Sequence, residues 1–344
     1  MNQNSVAVVT AAPGSPESIR SQAGAVFSSD FARVVAKRLL LAVPLLFIVS
    51  ALAFVLTSLL PGNAATAVLG PNATPQEIAA LSASLHLNQS LVSQYWSWLS
   101  QALQGNLGSS IVSGQTVETE IGQHLGVTLS LLVLGTLISV LIGVPLGVWG
   151  AARRGRSGAF IDLFSTLGLA IPSFWLALVL VSVFAIKLHL FPANGYASAS
   201  PGDWFRSLLL PALTLAAVGV TSVAKQTRDG VLDSLAQDYI VNLRAAGLSE
   251  RRLLWRHALR NAAPQIVTIT GLFAIGLLGA TVLVEQVFVL PGLGGLATSS
   301  AQAHDLPTLQ GVVITFTLLV IAINLVSDLL VAWLSPKSVA VKHG

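Results

Sequence analysis

Between Arg38 and Glu77 the chain carries no lysine, arginine, aspartate or glutamate, and the apolar part of that stretch runs from Leu39 to Leu60. Further uncharged runs follow: Ile121 to Ala152, Leu163 to Ile186, Ser207 to Ala224, Asn261 to Val284 and Leu306 to Ser327. The Ser207 run is the shortest and extends a few residues back toward Trp204. Each accommodates a helix of about 20 residues, enough to cross a hydrocarbon core of about 30 Å. Within lipid every backbone N–H and C=O must find a partner inside the protein, which leaves helices and closed barrels. Barrel strands need only about ten residues of alternating polarity, so runs of this length specify helices. Composition agrees, with 9% charged and 53% apolar residues in 344, against about 25% charged in a soluble domain. So little charge argues against an ordinary cytoplasmic enzyme, and so much apolar surface excludes a disordered chain. The expected fold is an all-α polytopic membrane protein with six transmembrane helices, near residues 39–60, 125–150, 160–186, 205–225, 262–284 and 308–333.

The first run has a competing reading. Lys37 and Arg38 precede it, and Ala65-Thr66-Ala67 has the small-x-small pattern of a signal cleavage site. A signal peptide has an apolar region of about 7–15 residues, and this one is longer. It is read as a retained span, preceded by a polar, flexible cytoplasmic tail over residues 1–32.

Charge sets the orientation. Arg20, Arg33, Lys37 and Arg38 precede span one, and Arg153, Arg154 and Arg156 follow span two. Lys225, Arg228, Arg244, Arg251, Arg252, Arg256 and Arg260 follow span four, and Lys337 and Lys342 lie in the C-terminal tail, 338–344 being its end. Sixteen of the 18 basic residues thus fall on alternate sides of the spans, with Lys187 and Arg206 opposite. The positive-inside rule places both termini in the cytoplasm. The basic excess reflects topology and contact with anionic lipid rather than nucleic-acid binding, since no aromatic-basic interleaving for base stacking occurs. Trp149, Trp175, Trp204, Trp255 and Trp333 fall near span ends, as an interfacial belt requires.

Two connections are long. The outer one, 61–120, reads as a scaffold loop. Thr74-Pro75-Gln76-Glu77 marks a helix start with Thr74 as cap and Pro75 in the first turn. A second helix is expected from about Ser90 to Leu103, ended by Gly105-Asn106-Leu107-Gly108. The cytoplasmic connection, 225–260, is expected to be helical to Ala246, broken at Gly247, and resumed with Ser249 as cap and Glu250 in the first turn. Two short helices joined at a glycine make a projecting element suited to mechanical coupling. A basic amphipathic segment lying on anionic lipid is the competing reading.

Catalytic signatures are missing. No lysine follows a glycine, so there is no Walker A phosphate cradle. No His-Glu-x-x-His and no Gly-x-Ser-x-Gly elbow occurs, and there are no cysteines. Asp162, Glu285 and Asp328 fall at span ends, and no ionisable group falls at a span centre. Ion-coupled carriers place such groups or broken helices near the midplane. Pro145, Pro172, Pro211 and Pro264 are expected to shape spans. Six spans without an internal duplication make a modest pore alone, which points to association with a second copy or a similar partner.

The cytoplasmic connection carries recognisable residues. Asp238-Tyr239-Ile240-Val241-Asn242-Leu243-Arg244-Ala245-Ala246-Gly247-Leu248-Ser249-Glu250 resembles the coupling loop of binding-protein-dependent ABC importer permeases. Arg256-His257-Ala258-Leu259-Arg260-Asn261-Ala262 is similar to the dipeptide/oligopeptide/nickel branch. Leu60-Pro61-Gly62, Ile171-Pro172-Ser173-Phe174-Trp175-Leu176 and Glu285-Gln286-Val287-Phe288-Val289-Leu290-Pro291-Gly292-Leu293-Gly294 agree, in the same order along the chain. The resemblance covers about residues 33–337. It implies a type I ABC importer permease of the bacterial plasma (inner) membrane. The implied partners are a second homologous permease subunit, two ATPase subunits or domains and an extracytoplasmic solute-binding protein. The chain itself would bind no cofactor, with ATP and Mg on the partner subunits. The implied ATPase-coupling residues are Asp238, Arg244, Ala245, Gly247, Leu248, Ser249 and Glu250.

The chain also departs from the family. Val241-Asn242-Leu243 stands where the broader family has Glu-Ala-Ala. Asn242-Leu243-Arg244-Ala245-Ala246 replaces the branch's Thr-Ala-Arg-Ala-Lys, and Ser335-Pro336-Lys337 replaces Asp-Pro-Arg. The expected function is import of di- or oligopeptides or a related small solute. The alternatives are an ion-coupled secondary transporter and a non-transporting membrane scaffold.

Overall fold

The computed structural model describes residues 16–334 apart from 60, 61, 63, 71, 86, 154 and 155. The sequence readings at Leu60, Pro61, Arg154, Ser335-Pro336-Lys337, Lys342 and the tail 338–344 lie outside the described residues, as do residues 1–15.

The first helix, α1, runs Pro16–Ser58. Its spanning part, Val35–Ser58, matches the expected first span. The helix starts upstream of that span, at Pro16. A proline fits the first turn of a helix, where its missing N–H costs nothing. In the outer connection come α2 (Ala64–Leu69), α3 (Pro75–Ser84) and α4 (Leu91–Ala102). Thr74 caps α3 in a full capping box: its hydroxyl accepts from the Glu77 N–H, and the Glu77 carboxylate accepts from the Thr74 N–H at 2.8 Å. Ser90 caps α4 with its hydroxyl alone, which accepts from the Ser93 N–H at 3.3 Å. Tyr95 of α4 seats this layer on α1, with edge-on contacts to Phe47 and Phe54 and a 3.0 Å hydrogen bond to Ser50.

The bundle proper is built from α5 (Val117–Ala152), α8 (Pro201–Leu235), α11 (Leu259–Val287) and α13 (Leu306–Leu334), with α8 at its centre. Most of α8's spanning surface is buried, whereas α1 and α13 present much apolar surface outward. Lipid gives no hydrophobic drive between helices, so close backbone approach matters. At Gly147 of α5 a methyl would run into the Ala224 carbonyl and Thr227 of α8. Arg38 of α1 pairs with Asp328 of α13, 2.5 Å apart, holding the outermost helices together at their cytoplasmic ends.

The third span differs from expectation. Instead of one helix over 160–186 there are α6 (Arg156–Ala170) and α7 (Ser173–Leu180), the latter continued by a π-helical turn, Val181–Lys187. The two arms meet at 94°. Pro172 stands at the break with φ −63° and ψ 133°. Its ring cannot continue an α-helical hydrogen bond, and it pushes the residue before it out of the helical region. Among the described residues, five helices are thus long and apolar enough to cross a membrane, and six spans result if the bent pair is counted as one.

Candidate functional site

The fourth span also outruns its expected end. The α8 helix continues through Lys225 to Leu235, into the stretch expected as a cytoplasmic connection, and the helix expected to run on to Ala246 is interrupted at Ala236 and Gln237. It is pinned where it leaves the bundle. Arg228, largely buried, reaches Asp162 of α6 at 3.1 Å and Asp229 at 3.3 Å, and Lys225 reaches the same two carboxylates at 3.5 and 3.4 Å. An apolar cluster of Val148, Ala151, Val223, Val231, Ala258, Ala262 and Ile266 packs the cytoplasmic ends of α5, α8 and α11 together.

The break after Leu235 starts the projecting element. Helix α9 covers Asp238–Ala245, with Gln237 as its cap. Asp238 sits in the first turn, where its charge complements the helix dipole. Ile240 is fully buried and anchors α9 to the bundle, while Tyr239 and Val241 stay exposed.

The end of α9 is set by Gly247, whose φ is +86°. The Gly247 N–H bonds the Arg244 carbonyl at 3.0 Å and the Leu248 N–H bonds the Leu243 carbonyl at 3.2 Å. This is a Schellman termination, with a left-handed residue just past the helix. A methyl at Gly247 would meet no atom within 4 Å in this chain. Glycine is therefore required here by backbone conformation, and no neighbour within the chain crowds it.

The chain then turns into α10 (Glu250–Arg252), which passes into a π-helical segment, Leu253–Ala258, and on into α11. Ser249 has the dihedrals of a cap, but only its carbonyl takes part, accepting from the N–H groups of Arg252 and Leu253 at 2.9 and 3.0 Å. Leu253 and Ala258 are fully buried, so the second arm is anchored as firmly as the first. Arg244 bridges the turn to Glu250 with two hydrogen bonds, 2.5 Å from Nε and 3.1 Å from Nη2. That bond, together with the carboxylate's charge, pushes the Arg244 guanidinium above its ordinary value. Ala245, Ala246, Gly247 and Ser249 are exposed, and Leu248 is half-buried. All seven sequence-marked coupling residues lie on this one helix–turn–helix element.

A second polar centre escaped the sequence reading. Glu285 is 1% exposed, near the outer end of α11. Its carboxylate accepts from Thr128 of α5 at 2.7 Å and from the Gly295 N–H at 3.0 Å, and the Thr128 hydroxyl accepts from the Leu293 N–H at 2.8 Å. Both N–H groups open α12 (Leu293–Gln302), so the carboxylate holds the positive end of that helix. Glu285 is thus committed to structure rather than standing as a free ion relay. The signal was present in Leu290-Pro291-Gly292-Leu293-Gly294, where the glycines leave room for a carboxyl group, but its distance from Thr128 hid the partnership.

The comparisons agree with this architecture. Residues 143–339 match the family model described as binding-protein-dependent transport system inner membrane component, and residues 31–132 match the N-terminal model of the same system. A protein of Brucella suis named as a peptide transport system permease is 37% identical over 310 residues, covering 88% of this chain and 98% of that relative. The glutathione transport system permease protein GsiC of Escherichia coli K12 is 37% identical over 303 residues, covering 88% and 97%. Among solved structures, an inward-facing conformation of the MetNI methionine ABC transporter matches with a TM-score of 0.51 at 18% identity, covering 62% of this chain and 96% of that one. The last likeness shows the fold. The family matches and the two permeases show that this multi-pass chain belongs to the binding-protein-dependent ABC importer permeases.

Proposed function

We propose that the chain is the permease through which a small peptide, or a peptide-like solute such as glutathione, enters a bacterial cell across the inner membrane. The curated relatives named for peptide and glutathione transport support this class of cargo. A solute-binding protein delivers cargo at the outer face, where 61–120 forms the scaffold. A second permease subunit completes the pathway. Two ATPase subunits bind ATP and Mg and perform the hydrolysis, and this chain contributes no catalytic group.

One observation carries the mechanical part: the α9–Gly247–α10 element projects exposed small residues while Ile240 and Leu253 lock both its arms into the bundle. An element gripped by an ATPase at its tip and fixed at its base transmits force instead of absorbing it. Asp238, Arg244, Ala245, Gly247, Leu248, Ser249 and Glu250 form the gripped surface. ATP-driven closure of the ATPases pushes on it, and α8 and α11 carry the motion into the spans. The ion-driven alternative loses its best carboxylate, since Glu285 is bound to α12.

Uptake in reconstituted vesicles tests the whole reading. Peptide should accumulate only with the binding protein, the ATPases and ATP, and an ion gradient should neither replace ATP nor add to it. Accumulation driven by a gradient without the ATPases would refute it.

A further inference from the structure

The cytoplasmic end of the bundle holds a hollow of about 320 Å³ between the start of α9, the head of α11 and the end of α13. Arg256, His257 and Arg260 line it. Residues spaced this way share one side of a helix. Among the described residues neither arginine forms an ion pair, and no carboxylate lines the hollow. Arg38, Lys225, Arg228 and Arg244 are paired with carboxylates, whereas Arg251 and Arg252, which form no ion pair among the described residues, lie outside the hollow. Two unpaired guanidiniums beside an imidazole mark a place for an anion.

Neutral donors complete the lining. Asn261 gives one amide N–H to Ser234 at 3.2 Å and keeps a second donor and its carbonyl. Tyr239 lies beside the same serine, 3.3 Å from its hydroxyl. These are the groups that a glycerol or other hydroxylated headgroup requires next to a phosphate. The remaining walls, Pro264 and Leu334, are apolar.

Depth selects the source of the anion. Leu334 follows Trp333, which is 67% exposed, and Leu330 one turn earlier is also exposed. An outward indole at a span end lies at the headgroup level. The hollow therefore opens where lipid phosphates lie, on the face that carries the excess of basic residues. We propose that it binds the phosphate of an anionic phospholipid of the cytoplasmic leaflet, with Arg256 and Arg260 as its charged clamp and the acyl chains lying along α13 below Trp333. Guanidinium forks suit phosphate oxygens. Because Tyr239 belongs to α9, the bound headgroup touches the base of the projecting element. The site does not depend on what the permease transports.

Native mass spectrometry of the full chain in detergent, with equal phosphatidylglycerol and phosphatidylcholine added, tests the proposal. The unsubstituted protein should retain phosphatidylglycerol preferentially. Arg256→Gln with Arg260→Gln should weaken that retention about tenfold or more, since each charge-assisted bond is worth at least about a factor of ten. Arg251→Gln with Arg252→Gln removes the same charge beside the hollow and should leave retention unchanged. Equal loss in both pairs, no preference for phosphatidylglycerol, or displacement by millimolar inorganic phosphate would overturn the proposal. Should the first pair fail to fold, a spin label at Leu334→Cys in the otherwise unaltered chain should broaden with spin-labelled phosphatidylglycerol and not with the phosphatidylcholine analogue. Equal broadening would reject the site.

Discussion

Arg244 and Glu250 face each other across the Gly247 turn, joined by two hydrogen bonds of 2.5 and 3.1 Å. The fork ties the last turn of α9 to the first turn of α10 without help from the bundle. It sits in solvent, where an ion pair adds little to folding stability. Its contribution is to hold two short helices at a fixed angle while an external surface presses on them.

Arg244→Gln should therefore leave the thermal midpoint of the purified permease unchanged and increase the ATP consumed per solute imported. Glu250→Gln should behave alike. A lowered midpoint with an unchanged ATP-to-solute ratio would assign the pair to stability instead.

Gly247→Val places a β-branched residue at φ +86°. The left-handed conformation costs an L-residue about 1–2 kcal/mol, and the turn would open to relieve it. Uptake should fall severalfold while binding of the solute-binding protein persists. Gly247→Asn, which tolerates this region better, should retain most of the activity. An unchanged coupling ratio in the valine variant would contradict the turn's role.

Thr128→Val removes a donor to Glu285 and the acceptor of the Leu293 N–H, leaving that buried N–H unpartnered and the carboxylate with only its backbone donors. The expected loss is about 2 kcal/mol or more, read as a lowered thermal midpoint in detergent. Thr128→Ser should restore it.

The α3 cap predicts a pH response in the outer scaffold. Hydrogen bonds from the Thr74 backbone and hydroxyl hold the Glu77 carboxyl below its usual value. A folded value lower than the unfolded one gives stability that is fully present above about pH 4.3, the ordinary glutamate range. That stability fades as pH falls through the lower folded value. Hydrogen-exchange protection in 75–84, measured against the intrinsic rate at each pH, should fall there, and Glu77→Gln should remove the pH dependence.

The spans and the outer helices were legible because their signals are local. Uncharged runs mark the bilayer, and Thr74-Pro75-Gln76-Glu77 carries its own cap. Gly247 was legible as a break, but the reason it must be glycine was not. The structure places it at a left-handed helix end. The bend at Pro172 was hidden because proline within an apolar run is compatible with a continuous span, and neighbouring helices decide whether it breaks. The Thr128–Glu285–α12 centre joins residues 157 positions apart, beyond the reach of any local pattern. The extension of α8 to Leu235 depends likewise on packing, through the cytoplasmic cluster that buries Val231.

The central claim is that ATP-driven motion enters through the α9–α10 turn. The chain has no cysteine of its own, so Ser249→Cys gives a single reactive site on the exposed face of that turn. In vesicles holding the assembled importer, this cysteine should crosslink to the ATPase subunit, with a yield that changes on adding ATP, and the crosslink should stop uptake. No crosslink to the ATPase in any nucleotide state, or full uptake with the crosslink in place, would contradict the account.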